Sequence, residues 1–291
     1  MNQKKPNILF LFNDHQAYYR HGWDGGVKPA RPNFDRIAKN GIEFERAYSV
    51  CPLCLPARRS MATGLYPHNH GFLNNDDEAK TWDYQFIFPL IKEQGYDMFY
   101  YGKWHTGPGT AHYYGCEGFS YPDYGNPYLT AEYKEYCKKR GLPEATFDIK
   151  HLFTEPESPD KPDLGPGYRC LGKAFHPHAS GLLETPDDTH ETFFLANLAC
   201  DKLKEIAEKG NDQPFYLRVD FYGPHMPYFA SKKYVDMYPP EKIEEYRSFR
   251  DNLGNKPEVY WTETNQPISK DGRLIQPNPL PWSEWQKILS Y

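Results

Sequence analysis

The chain has 291 residues, of which 16% are aromatic and 25% charged, and carries a formal net charge of −5 at pH 7. That length supports a sizeable core, the aromatic content excludes a disordered chain, and the acidic balance excludes a general basic field, so neither nucleic acid nor a membrane is expected as a partner. Six cysteines in a chain this long do not make a disulfide scaffold. No apolar run approaches the roughly 20 residues of a membrane span, and the run at 8–12 is too short for a secretory leader. A cytoplasmic protein with free thiols is expected, with a processed protein that has lost its leader as the competing reading.

In chain order, the continuous apolar run 8–12 predicts a strand buried on both faces of a parallel sheet. Asn33 is placed to cap a helix with Phe34, Ile37 and Ala38 as its stripe and Gly41 as its stop, and Ile42, Phe44 and Ala47 suggest a short strand beyond it. Residues 54–64 form a short helix bounded by Pro56 and Gly64, with Cys54 at its N-cap. A helix over 84–94 presents Phe86, Ile87, Leu90 and Ile91 on one face and stops at Gly95, and a strand follows at 98–101. The stretch 106–186 is rich in Gly, Pro and Tyr with weak periodicity, and reads as irregular excursions that could wall a pocket. Asp188 and Glu191 make an Asp variant of the capping box for a helix running through Phe194, Leu195, Leu198, Leu203 and Ile206 to Gly210. Residues 215–221 are the third strand, and 252–281 are again irregular. Pro281, Trp285, Ile288 and Leu289 open an amphipathic helix that the sequence leaves unfinished, which points to a C-terminally truncated chain. Together, 1–291 reads as one α/β catalytic domain with a mainly parallel central sheet flanked by helices.

The three strands each run into residues with chemical capacity: Asn13-Asp14-His15, Gly102-Lys103-Trp104-His105 and Tyr222-Gly223-Pro224-His225. In open α/β sheets, sites form beyond the carboxyl ends of the strands, so these groups are expected at one edge. The helix begun by Cys54 adds free N–H groups and a dipole that favour an anion and would lower a thiol pKa, and Arg58 adds a fixed charge one turn along. Cys51 and Cys54 also form a CxxC, which in other settings marks a redox or zinc site, but no second pair accompanies it. His68, His70, Asn74 and Asn75 read equally as pocket lining or plain loop, and Trp104 as packing beneath the site.

Cys54-Leu55-Pro56-Ala57-Arg58 followed by Thr63-Gly64 resembles the signature of the type I sulfatases, and the segment from Gly95 to His105 is similar to their second signature. Asn7 to Asp14, Thr63 to His68 and Gly223-Pro224-His225 resemble further family segments in the same order. The resemblance implies a fold similar to alkaline phosphatase and an enzyme that releases sulfate from a small-molecule or carbohydrate sulfate ester. It implies that a maturation enzyme converts Cys54 to formylglycine, whose hydrate supplies an oxygen nucleophile and a metal ligand. Arg58 would orient that diol, Lys103 and His225 would bind sulfate, His105 would take a proton as sulfate leaves, and His225 would help protonate the leaving alcohol. Asp14 would ligate a divalent cation, calcium by family habit.

Two departures stand out. Many members have a second Asp where this chain has His15, and imidazole is a poor calcium ligand. No later segment supplies the further ligands the family takes from an Asp followed by Asn or His. Two alternatives therefore stay open: a phosphonate monoester or phosphodiester hydrolase with the same apparatus, or a truncated fold that binds an anion without turning anything over.

Overall fold

The computed structural model describes residues 5–17, 27–79, 84–121, 127–152, 179–210, 213–250, 255–257 and 281–291. In chain order the elements are β1 (Ile8–Asn13), α1 (Pro32–Lys39), α2 (Cys54–Thr63), α3 (Pro67–His70), α4 (Ile87–Glu93), β2 (Asp97–Lys103), β3 (Glu117–Tyr121), α5 (Ala131–Arg140), β4 (Phe147–Leu152), β5 (Ala179–Leu183), α6 (Glu191–Glu208), β6 (Phe215–Phe221), β7 (Tyr228–Ser231), α7 (Lys232–Val235) and α8 (Trp282–Leu289). Two compact units interleave along the chain. The first holds 1–15, 46–141 and 188–224, and the second holds 16–45, 142–187 and 225–291.

The first unit is built on a sheet of order β1-β6-β2-β3 in which every neighbouring pair is parallel. Its register sets Asn13 opposite Phe221, Gly102 opposite Asp220 and Lys103 opposite Tyr121, so the carboxyl ends of all four strands come level at one edge. Gly102 is required there. Its φ is +120°, and a Cβ would lie 2.0 Å from the Asp220 carbonyl oxygen. Phe88, Met98, Tyr100, Trp104 and Tyr216 form the core on one side of this sheet, with Ile8 and Phe10 packed against them. β1 departs from the expected burial on both faces. It is an edge strand among the described residues, and Leu9 and Leu11 on its other face are 51% and 48% exposed.

Local sequence explains the helix ends, with several shifts. α2 starts at Cys54, one residue earlier than expected, because the extended Leu53 is its N-cap. Pro56 costs nothing in the first turn, where its missing N–H would have no intrahelical partner. The Leu55 N–H is taken by Asn75 Oδ1 at 3.1 Å, and Gly64 closes the helix at φ 73°. The Asp188–Glu191 capping box is not formed. Asp188 lies in a 3₁₀ turn, and His190 is the N-cap, its Nδ1 accepting from the Thr192 N–H at 3.2 Å. α4 begins only at Ile87, and it buries Phe88 while Ile87 and Leu90 remain 41% and 43% exposed. α1 is capped by Arg31 and Asn40 rather than by Asn33 and Gly41.

The stretch 106–186 is more regular than its composition suggested, since it holds β3, α5, β4 and β5. Residues 153–178, with His176 and His178, lie outside the described residues, as does most of 252–281. In the second unit β4 pairs antiparallel with β5, which pairs parallel with β7, and the Phe147 and Phe229 rings stack at 4.2 Å. The suggested strand at 42–47 does not form, and Ile42 and Phe44 are 83% and 75% exposed. α8 spans Trp282–Leu289. Ser290 is its C-cap, Ile288 is buried against Tyr228 and Trp285, and Gln286 donates to the Ile243 carbonyl at 2.7 Å.

Candidate active site

Because β1, β2 and β6 run parallel, Asp14, Lys103 and Tyr222 all leave the sheet at one edge, where α2 adds Cys54 and Arg58. The backbone N–H of Asp14 donates to the Gly223 carbonyl at 3.2 Å, which ties the first strand end to the third. Asp14 is buried and accepts from the Lys103 ammonium on one oxygen, while its other oxygen lies 3.6 Å from Arg58 Nη2. An Asp14 carboxylate oxygen and Cys54 Sγ lie within 4.8 Å of each other. Asp14, Cys54, Arg58 and Lys103 are thus brought together as expected.

Arg58 is almost wholly buried, and its Nη1 donates to Asp220 Oδ2 at 2.8 Å and to the Lys103 carbonyl at 2.9 Å. Asp220 also takes Arg218 through Nε at 2.6 Å and Nη2 at 2.8 Å. Neither Arg218 nor Asp220 was singled out from the sequence. The available signal was their i, i+2 spacing, which puts two opposite charges on one face of an otherwise apolar strand. Burial disfavours the charge on Arg58 and Arg218, but the carboxylates, Asp220 foremost, outweigh it and hold both guanidinium groups charged. Arg58, Lys103 and Arg218 face Asp14 and Asp220, three cations against two carboxylates.

The thiol of Cys54 was expected to be acidified by the helix start. Instead, burial pushes it up, Lys103 and Arg58 oppose that only in part, and Asp14 adds to it. An unmodified Cys54 is therefore no activated nucleophile. Burial lowers the Lys103 pKa while Asp14 works against the shift. Glu191, in the first turn of α6, is pushed up to about 8 by burial with Lys103 opposing, so its carboxyl holds a proton at neutral pH. Tyr222 is buried, and its hydroxyl has no hydrogen-bond partner among the described residues.

His105 is buried two residues beyond Lys103 and takes a positive φ of 39°. His225 begins the last segment of the second unit, and its Nδ1 lies 2.8 Å from the Met226 carbonyl oxygen. His15 is exposed with φ 59°, so it does not stand in for a second inward carboxylate. His70 is fully buried. Its Nδ1 accepts from the Phe72 N–H, which leaves Nε2–H to donate to Ser60 Oγ at 2.9 Å. Trp104 is core, as expected.

Among the described residues of the first unit, the oxygen donors for a calcium ion are incomplete. Calcium takes about six to eight oxygens. In this unit the oxygens of Asp14 face Lys103 and Arg58, while those of Asp220 are held by Arg58 and Arg218. Among the described residues of the unit, these carboxylates are occupied by cationic side chains and fall short of a calcium shell.

The parallel sheet of an α/β protein thus gathers two cations, a carboxylate and a cysteine at a helix start. Comparison with known proteins names the group: residues 6–266 match the sulfatase family, and the chain belongs to it. It is 28% identical over 278 residues to the uncharacterized sulfatase YidJ of Escherichia coli, across 94% of this chain and 50% of that protein. It is 27% identical to an arylsulfatase of Clostridium perfringens, across 83% of this chain and 48% of the relative. Over a shorter stretch, 104 residues covering 35% of this chain and 18% of the relative, it is 38% identical to an N-acetylglucosamine-6-O-sulfatase of Bacteroides thetaiotaomicron. The chain spans about half the length of the first two of these relatives. The phosphonate monoester hydrolase of Agrobacterium radiobacter has the same fold, with a TM-score of 0.64 at 19% identity over 98% of this chain and 55% of that one. This is the alkaline-phosphatase-like architecture, with a mainly parallel sheet flanked by helices. Proteins of the sulfatase family generally use formylglycine and a divalent metal.

Proposed function

We propose that the protein is a sulfuric ester hydrolase that releases inorganic sulfate, and that a sulfated carbohydrate is its substrate. The observation that carries this reading is the convergence of Arg58 and Lys103 on Cys54 beside Asp14. The relatives' names, an N-acetylglucosamine-6-O-sulfatase among them, support the substrate class.

Each residue has a part in this reading. Arg58 and Lys103 hold the sulfate oxygens in a low-dielectric site, where a fixed charge acts strongly on a developing anion. Residue 54 acts after conversion to formylglycine by a maturation enzyme, and its hydrate supplies the oxygen nucleophile that the protonated thiol cannot. His105 takes a proton as sulfate leaves, and His225 binds sulfate and protonates the departing alcohol. Asp14 would contribute one oxygen to a divalent cation, calcium by the hardness of that donor, and such a cation would supply polarisation of the sulfate.

The test has two parts. Peptide mass spectrometry of protein from its native host should show formylglycine at residue 54, and plain Cys54 in fully active protein would end the mechanism. Turnover of an aryl sulfate should exceed that of an aryl phosphonate monoester, whereas the reverse preference would replace the sulfate reading by phosphonate hydrolysis.

A further inference from the structure

The turn that carries His105 is held from both sides by two adjacent arginines of α2. Arg58 Nη1 reaches the carbonyls of Lys103 and Trp104 at 2.9 and 3.5 Å. Arg59 Nη1 reaches the Thr106 carbonyl at 3.0 Å. His105 lies between these anchors in the left-handed region, where a side chain other than glycine sits under strain that surrounding contacts must hold. Further donors reach the same segment. Thr106 Oγ1 donates to Trp104 O at 2.7 Å, Tyr100 Oη to Lys103 O at 2.7 Å, and Trp104 Nε1 to Gly107 O at 3.2 Å.

Arg59 is fixed for this purpose. It is 2% exposed, and its guanidinium carbon lies 4.3 Å from the centroid of the Phe72 ring and 4.5 Å from that of Phe86. Two aromatic faces hold a planar cation in one orientation and offset part of its burial. Gly107 makes the approach possible, since a Cβ there would lie 2.9 Å from Arg59 Nη1. Among the described residues, the Arg59 guanidinium meets the Thr106 carbonyl on one side and the Phe72 and Phe86 rings on the others.

We propose that Arg59 is a positioning residue for His105, clamping from behind the strained turn that aims the imidazole. The consequence for turnover rests on the sulfate-ester reading above, while the clamp itself does not.

Arg59→Met keeps the length and the packing between the rings but removes the donor, and Arg59→Lys keeps charge and reach. Amide hydrogen exchange read by mass spectrometry compares 104–107 with β6 in the wild type and both variants. In Arg59→Met, protection of 104–107 should fall about tenfold, the factor that one buried charge-assisted hydrogen bond carries, with β6 unchanged. In parallel, kcat on an aryl sulfate should fall about tenfold with KM within about threefold, as for a group that acts on a proton-transfer residue rather than on binding. Arg59→Lys should recover part of both. Unchanged protection of 104–107 in Arg59→Met, or a loss shared equally by β6, overturns the proposal. Where Arg59→Met does not fold, Arg59→Lys decides: lowered protection with lowered kcat supports the clamp, and wild-type values of both overturn it. A wild type that turns over neither sulfate nor phosphonate esters defeats the hydrolase reading, and the exchange of 104–107 still judges Arg59.

Discussion

Asp220 is the fully buried carboxylate on which two guanidinium groups depend, so neutralising it tests the architecture of the site directly. Asp220→Asn keeps shape but removes the charge opposite Arg58 and Arg218, which lie 2.8 and 2.6 Å from its oxygens. Breaking a buried ion pair from one side costs about 3–5 kcal/mol, because the remaining charge stays desolvated. Here two cations are left, and of these two it is Arg58 that also lies near Asp14, at 3.6 Å. Destabilisation of at least 3 kcal/mol or so is expected, read as a lower urea midpoint at unchanged slope by tryptophan fluorescence. The second expectation concerns coupling. Arg218 lies over the Phe10 ring at 4.8 Å, so Arg218→Met keeps apolar packing while removing one stranded charge. The double variant should be more stable than Asp220→Asn alone, with an interaction energy of about 1–3 kcal/mol in the cycle. Strict additivity, or an Asp220→Asn variant within about 1 kcal/mol of wild type, would refute the claim that this network is a buried, mutually dependent charge group.

Three further outcomes are expected. Glu191 holds a proton in the folded state up to about pH 8, whereas its ordinary value is 4.5. The folded protein therefore binds the extra proton in that window, and stability should decline as pH rises from about 4.5 through about 8, by at most about 1.4 kcal/mol per unit. Glu191→Gln should flatten that slope in pH-resolved urea titrations, and an unchanged slope would show that its carboxyl is not buried in water-poor surroundings. Gly102→Ala should fail to give soluble folded protein, since its Cβ meets the Asp220 carbonyl at 2.0 Å at a φ of +120°; a cooperative circular-dichroism melt at the wild-type midpoint would contradict the close approach of β2 and β6. On the proposed assignment of Arg58 and Lys103 to the sulfate oxygens, chelation should lower turnover of an aryl sulfate far more than it weakens sulfate binding by calorimetry; equal losses in both would make the cation a sulfate ligand first.

The site was legible in the sequence to the extent that it rests on short-range chemistry. Apolar runs ending in Asp14, Lys103 and Tyr222 placed these residues at strand ends, and parallel pairing then had to deliver them to one edge. The spacing from Cys54 through Pro56 and Arg58 to Gly64 dictated a short helix with its free N–H groups beside the cysteine, because Pro suits the first turn and Gly the left-handed close. Burial, register and the identity of charge partners were decided by tertiary structure. A helix dipole argument made Cys54 acidic, yet a neighbourhood that excludes water raises its pKa, and no local pattern reports that desolvation. Asp188 and Glu191 satisfied the rule for a capping box, but His190 takes the cap, which leaves Glu191 in surroundings that keep it protonated. Arg59 reads in sequence as one more basic residue beside Arg58, and only the folded chain brings it to the Thr106 carbonyl, 47 positions away. Residue type and spacing determine which groups can do chemistry. Which of them lose water, and which opposite charge they then face, depends on contacts between distant segments that exist only once the sheet has formed.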